Sequence, residues 1–201
     1  REMTMSEAGD ELIKSMSLDK VNICGYSMGG RLSVAFASQY SETVNKLILE
    51  SSSLGIENID KRKLRYVDDL DKCNQINQDL TKFVDLWEST PIFINQESRN
   101  KAGYQEQRRQ RLAHVPCELS QALRLFGQGA MKSYQQEFAE FNFPIHLING
   151  NEDAKYLEIS DNMRQLNRNV TIHRVHSGHN IHLERPNIFI DILKDTLNSN
   201  Q

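Results

Sequence analysis

The sequence predicts an α/β fold with a mostly parallel sheet, on three observations. A short apolar run, Val21 to Cys24, leads into Gly25-Tyr26-Ser27-Met28-Gly29-Gly30, and apolar residues then recur at helical spacing through Phe36. A second apolar run, Val44 to Glu50 (VNKLILE), follows that helix, and a helix between two buried strands implies a parallel, right-handed crossover. The same alternation of strand and helix returns between Pro144 and Leu197.

Taken in order, Thr4 to Met16 places Met5, Ala8, Leu12, Ile13 and Met16 at three- and four-residue steps, the pattern of an amphipathic helix feeding the strand at Val21. The turn at Ser27 needs small neighbours, so Gly25 and Gly29 are read as letting strand and helix close behind a strained serine. Its helix runs from Met28 to about Tyr40, and Val44 to Glu50 is the second strand. From Ser51 to about Tyr134 polar residues dominate and no strand stands out. Helical stretches fall at Lys61 to Lys72, Gln78 to Glu88 and Gln105 to Leu112, with Trp87, Pro91 and Phe93 as an apolar knot. The closing elements are a strand at Pro144 to Gly150, a helix at Lys155 to Leu166, a strand at Thr171 to Val175 and a helix at Pro186 to Leu197, with proline at a favoured first position. Residues 1–55 and 135–201 are thus expected to form the core, with 56–134 inserted as a helical lid.

Composition narrows the function. With 201 residues, 38% hydrophobic and 25% charged, the chain can bury one sizeable core. A net charge of −3 and scattered lysines and arginines give no footprint for nucleic acid. No apolar run reaches the roughly 20 residues of a membrane helix, and Arg1 to Asp10 lacks a signal-peptide profile, so a cytoplasmic protein is expected. Cys24, Cys73 and Cys117 are widely spaced, against a disulfide framework or a zinc site. No cofactor is expected.

Three reactive residues fall at the carboxyl ends of predicted strands: Ser27, Asp153 and His179. In a parallel sheet those ends share the edge where ligands bind. The order Ser, Asp, His is that of the α/β-hydrolase triad, in which the histidine takes the serine proton and the aspartate holds the imidazole. The first helical N–H groups, Met28 among them, are placed to face an oxyanion. His173, His176, His179 and His182 recur every three residues, but Gly178 and Pro186 make this a loop, which argues against a metal site. Glu152 is the rival of Asp153, whereas Asp161 and Asp60 are read as surface charges. Arg31, one turn after Ser27, is either salt-bridged to a carboxylate or held unpaired for a substrate carboxylate.

GYSMGGR at 25–31, LILESSSLGI at 47–56, the Trp87-x-x-x-Pro91-x-Phe93 knot, QRRQRLAHVP at 107–116, LFGQGAM at 125–131, GNEDAKY at 150–156 and SGHNIHLERP at 177–186 carry a resemblance across nearly the whole chain. Together they resemble the 2-succinyl-6-hydroxy-2,4-cyclohexadiene-1-carboxylate synthases of menaquinone biosynthesis, a family of α/β-hydrolase fold. The resemblance implies a lyase that eliminates pyruvate from a 5-enolpyruvoyl cyclohexene carboxylate, with the triad as base. It also implies that Tyr26 and Trp87 line the pocket and that Arg31, Arg65 and Arg108 hold the carboxylates of a small polycarboxylate substrate; Arg62 and Arg111 are the alternatives. Leu54 stands where the family usually has proline. The family's amino-terminal strands and His-Gly oxyanion loop have no counterpart in this sequence, so roughly 60 to 80 further residues are expected before Arg1. The competing readings are a carboxylesterase-type hydrolase, which an apolar, arginine-poor lid would favour, and a non-catalytic ligand-binding member of the fold.

Overall fold

The computed structural model describes residues 4–198. Helix α1 (Met5–Ser15) starts with a capping box, in which the Thr4 hydroxyl accepts from Glu7 N–H and the Glu7 carboxylate accepts from Thr4 N–H. Strand β1 (Val21–Tyr26), helix α2 (Met28–Gln39) and strand β2 (Val44–Glu50) follow. The helical segment comprises α3 (Ile59–Gln78), α4 (Leu80–Glu88), α5 (Gln96–Arg99), α6 (Lys101–Leu112), α7 (Pro116–Phe126) and α8 (Gln135–Ala139). Strand β3 (Ile145–Gly150), helix α9 (Ala154–Leu166), strand β4 (Val170–Val175), the single turn α10 (Ile181–Glu184) and helix α11 (Pro186–Asn198) complete the order.

The four strands form one sheet in the order β1-β2-β3-β4, every pair parallel. Side chains alternate across a strand, so β2 and β3 supply two cores at once. Leu47, Leu49, Ile145 and Leu147 join Val34, Phe36, Phe138, Phe141 and Met163 on one face. Ile48 and Ile148 join Val175 and Ile181 on the other, under Phe189, Ile192 and Leu193 of α11. Because all four strands point the same way, their carboxyl ends lie along one edge.

The helical segment differs in detail from the sequence reading. The stretch read as 61–72 is the longer α3, because Asn58 caps Lys61 N–H at its start and Cys73 and Ile76 carry its buried stripe onward through polar neighbours. The second stretch begins at Leu80, not Gln78, because the Asp79 side chain accepts from Lys82 N–H. The third begins at Lys101, where Asn100 accepts from Gly103 N–H. Helix α7 was not anticipated; Pro116 at its first position was the available signal. It packs along α3, with the Cys73 thiol donating to Ser120 O at 3.2 Å. Among the described residues no helix is long and apolar enough to cross a membrane.

Candidate active site

Ser27 stands between β1 and α2 with φ 49° and ψ −108°, a left-handed backbone that a non-glycine residue adopts only when its surroundings enforce it. The enforcement is visible on both sides. Ser27 N–H donates to Glu50 O at 2.9 Å, and the Ser52 hydroxyl donates to Ser27 O at 2.9 Å, so the tip of β2 holds the turn. A methyl group on Gly25 would lie 2.5 Å from Ser33 Oγ and 2.7 Å from Gly29 carbonyl atoms; one on Gly30 would lie 2.5 Å from Ser52 Cβ. At Gly29 a methyl would meet nothing within 4 Å. The expectation for Gly29 is therefore corrected: Gly25 and Gly30 are the close-packed positions, because α2 passes Ser52 one residue later in its turn.

The three strand-end residues come together. His179 Nε2 lies 3.2 Å from Ser27 Oγ, and its Nδ1 lies 2.5 Å from Asp153 Oδ2. His179 is 2% exposed and Asp153 4%. Asp153 also caps α9 through Tyr156 N–H, which fixes the carboxylate from a second direction. Glu152 turns away to Arg99, leaving the imidazole to Asp153. Asp60 and Asp161 are surface charges beside Lys63 and Arg174.

Rings enclose the imidazole. Tyr156 lies 4.6 Å from it centroid to centroid, Tyr26 5.4 Å and Phe93 5.8 Å. Tyr156 is buried, and burial pushes its phenol up, with Arg31, Arg65 and the Ser27 side chain opposing and Asp153 adding to the effect. Sequence reasoning missed this residue, although its place three positions after Asp153 put it on the first turn of α9. The other histidines go elsewhere. His173 meets His146 at 3.1 Å, His182 Nδ1 meets the buried Glu50 carboxylate at 2.7 Å, and His176 is exposed beside Glu152.

Arg31 is 6% exposed, and no carboxylate lies within ion-pair reach of it among the described residues. Its Nη2 donates to Phe126 O at 3.5 Å, while its Nε has no partner. Burial draws its pKa down, with Arg65 adding to the effect and Tyr156 and Asp69 opposing it. Of the two sequence alternatives, the geometry is that of the unpaired cation.

The remaining arginines divide. Arg65 donates from Nε to Asp69 at 2.7 Å and from Nη1 to Gln128 at 2.8 Å. It lines two cavities: one of about 230 Å³ with Met28, Trp87 and Arg111, and one of about 680 Å³ with Leu54, Gln128 and Lys155. Arg108 lies outside both; it is held by Asp85 and Glu88 at 2.5 Å each and faces a separate cavity of about 350 Å³. The structure therefore does not bring Arg108 beside Met28, whereas Arg111, three residues on, is brought there, pairing with Glu88 at 2.8 Å and lying over Phe93. Arg62 reaches only Ile56 O, at 3.5 Å. Trp87 packs between Phe83 and Phe93, at 5.9 and 5.4 Å. Lys155 is the missed cation: partial burial, Arg65 and Arg31 all draw its pKa down, against the pull of Asp153.

Comparison with known proteins gives this geometry a setting. The alpha/beta hydrolase fold family matches residues 2–186. A Bacillus subtilis (strain 168) protein, named provisionally as a 2-succinyl-6-hydroxy-2,4-cyclohexadiene-1-carboxylate synthase, is 32% identical over 94% of this chain and 70% of its own length. A Klebsiella pneumoniae protein named for the same activity is 26% identical over 93% of this chain and 72% of its own. Among solved structures, MenH from S. aureus superposes with a TM-score of 0.91 at 26% identity, covering 98% of this chain and 78% of that one. The enol-lactonase from Burkholderia xenovorans LB400, at 17% identity and a TM-score of 0.75 over 97% of this chain and 72% of that one, shares the fold.

Proposed function

The chain belongs to the alpha/beta hydrolase fold family, and from that premise we propose that it is a cytoplasmic lyase, a 2-succinyl-6-hydroxy-2,4-cyclohexadiene-1-carboxylate synthase of menaquinone biosynthesis. The observation that carries the reading beyond the fold is Arg31: a buried guanidinium without a carboxylate, one helical turn from Ser27. A neutral ester offers such a group nothing, whereas a substrate carboxylate matches its fork in bidentate fashion. The relatives named for this synthase support the same reading.

In the proposed reaction Ser27 Oγ, its proton drawn toward His179 Nε2, takes a ring proton beside a carbonyl. The electron pair left behind becomes a ring double bond, the existing ring double bond shifts by one position, the bond from carbon to the enolpyruvoyl oxygen breaks, and the departing enolate takes up the proton held by His179 to leave as pyruvate. No acyl-enzyme forms. Asp153 stabilises the imidazolium, and Met28 N–H faces the oxygen on which negative charge develops. Arg31, Arg65 and Arg111 are assigned to the carboxylates; Arg108, already satisfied by two acids, supports Glu88 instead. Tyr26 and Trp87 bound the pocket, and the helices between β2 and β3 serve as its lid.

Pyruvate release from the pathway intermediate is the test. Wild-type protein should release it, and Ser27→Ala should lose on the order of 10³-fold or more in kcat while keeping its circular dichroism spectrum. Wild-type turnover by the alanine variant would remove Ser27 from the chemistry. Hydrolysis of neutral esters without pyruvate release would turn the reading to a carboxylesterase, and ligand binding without turnover to a non-catalytic member.

A further inference from the structure

The wider of the two cavities that Arg65 lines, about 680 Å³, has none of Ser27, Asp153 and His179 in its walls. Helix α9 gives it one wall, where Lys155, Ile159, Asn162, Met163 and Leu166 fall at three- and four-residue steps on one face of the helix. The segment leaving β2 gives another, with Leu54 and Ile56. That segment is pinned. Gly55 within it has φ 92°, a methyl on it would lie 2.5 Å from Lys132 O, and Tyr134 N–H donates to Leu54 O at 2.8 Å. Among these apolar walls stand Lys61, Arg65 and Lys155. Arg65 commits Nε to Asp69 and Nη1 to Gln128, and its Nη2 has no partner among the described residues. Lys61 and Lys155 form no ion pair among the described residues; the Lys155 ammonium lies 5.5 Å from the centroid of the Tyr156 ring. Like charge crowds Lys155: after burial, Arg65 and Arg31 draw its pKa down, against the pull of Asp153. Glu57, the acid of the lining, is exposed to solvent.

We propose that this cavity is a second binding site, for an amphipathic monocarboxylate whose charged end is held by Lys155 and Arg65 and whose apolar body lies along Ile159, Met163 and Leu54. Cavities of roughly 300 to 1,000 Å³ that are mostly apolar, with a few convergent polar groups, are the usual seats of small organic ligands. A carboxylate supplies the counter-charge that Lys155 lacks and a second acceptor for Arg65, and it relieves the repulsion between the two. An inorganic anion would leave the apolar walls facing water, and a neutral apolar molecule would leave the cations unpaired. A ligand with both parts meets both demands. The other cavity, where Arg65 stands with Met28, Trp87 and Arg111, is the one assigned to substrate. One guanidinium thus serves two sites. An anion seated at Arg65 in one cavity lowers the positive potential that a carboxylate meets at Arg65 in the other, so the two ligands oppose each other's binding. This consequence, unlike the site itself, rests on the lyase reading above: an accumulating carboxylate of this class would slow the enzyme by raising KM.

The test is calorimetric titration with 4-butylbenzoate, its neutral amide 4-butylbenzamide, and acetate, all at one ionic strength. Wild-type protein should bind the benzoate with a Kd of about 1 mM or tighter. The amide should bind at least about tenfold more weakly for want of a charge-assisted bond, and acetate, which has no apolar body, not measurably. Octanoate is a further arm: tighter binding than the benzoate identifies a chain-bearing acid as the ligand, weaker binding a ring-bearing one, and either supports the site. Asn162→Trp, at an exposed position of α9 in the cavity wall, should abolish benzoate binding by filling the space, and Lys155→Gln should weaken it about tenfold. Trp87→Ala, in the other cavity, should leave binding within about threefold. No binding of the benzoate, equal binding of benzoate and amide, or binding lost in Trp87→Ala and kept in Asn162→Trp would overturn the proposal. Should Asn162→Trp not fold, Lys155→Gln against Trp87→Ala decides by the same criterion. In pyruvate release, saturating benzoate should raise KM about two- to fivefold with kcat unchanged, and the rise should vanish in Asn162→Trp, whose own kcat and KM should match wild type. A KM indifferent to bound benzoate would overturn the opposition through Arg65. A protein that binds the benzoate and releases no pyruvate would put the fault in the lyase reading and leave the site standing.

Discussion

Arg31 and Tyr156 are the groups outside the Ser27, His179 and Asp153 chain on which the proposed chemistry would depend. Burying a guanidinium costs free energy that an ion-paired acid would normally offset, whereas among the described residues Arg31 has a long bond to Phe126 O and no ion pair. That arrangement suits a cation whose partner arrives with the substrate. Arg31→Ala should therefore weaken kcat/KM for the pathway intermediate by about 2 to 5 kcal/mol, and leave hydrolysis of p-nitrophenyl acetate within about twofold. Equal losses on both substrates would make Arg31 a structural residue. Tyr156 carries a hydroxyl whose titration feels Ser27 and a ring against His179. Tyr156→Phe keeps the ring and removes the hydroxyl, so its effect isolates the polar group. A fall of roughly fivefold in kcat, about 1 kcal/mol, is expected, with the melting temperature nearly unchanged; a loss as large as that of Ser27→Ala would give the phenol a direct part in proton transfer.

At the scale of elements, the turn between β1 and α2 was the most legible part of the chain, because a strand, a glycine-flanked serine and a helix leave a local pattern. Its tolerances were not legible. Gly29 and Gly30 are adjacent in sequence, and it is the passage of α2 over Ser52 and the Gly25 carbonyl that makes the second one tight. Gly30→Ala should destabilise the protein by about 1 to 3 kcal/mol through overpacking. Gly29→Ala, in open space within the first turn of α2, should be neutral or stabilising by up to about 1 kcal/mol. Chemical denaturation of both variants decides; the reverse order would mean that the turn relaxes around Gly30. The same kind of ambiguity separates Arg108 from Arg111. Both sit on α6, three residues apart, and both reach Glu88. Which one also faces Met28 depends on how α6 crosses α4, a tertiary fact with no local signature. Helix α7 was unread for a related reason: its amphipathic face is short and is completed by α3, so its pattern is clear only once the partner helix is known.

At the scale of the whole molecule, the parallel sheet sorts its histidines by position along the strands. Beyond the carboxyl ends, His179 joins Ser27 and Asp153, His182 pairs with Glu50 and His176 is exposed beside Glu152, whereas His146 and His173 lie within β3 and β4 as a cross-strand pair. The pair was not legible: His173 stood out only as one of four regularly spaced histidines, and His146 drew no notice because a single polar residue in an apolar strand resembles ordinary alternation. The two rings stack with centroids 5.4 Å apart, half-buried under α11. Burial, the neighbouring His173 and the nearby Lys46 bring the pKa of His146 down to about 4, and burial lowers that of His173 against the opposing pull of Asp195. The sign of the linkage follows. Above about pH 6.5 both rings are neutral whether the chain is folded or not, and they contribute no pH dependence. Between about 6.5 and 4 the unfolded chain binds protons at His146 that the folded chain refuses, so stability falls as pH falls; below about 4 the folded protein takes up the proton too and the loss levels off. Allowing for solvent screening of a half-buried ring, the loss should be about 1 to 2 kcal/mol. The comparison that isolates it is wild type against His146→Gln, since carboxylates titrating in the same range act on both. The wild-type protein should lose stability relative to the variant by that amount between pH 6.5 and 4, measured by urea denaturation at each pH. Parallel curves for the two proteins across that window would show that the pair is not held neutral in the fold.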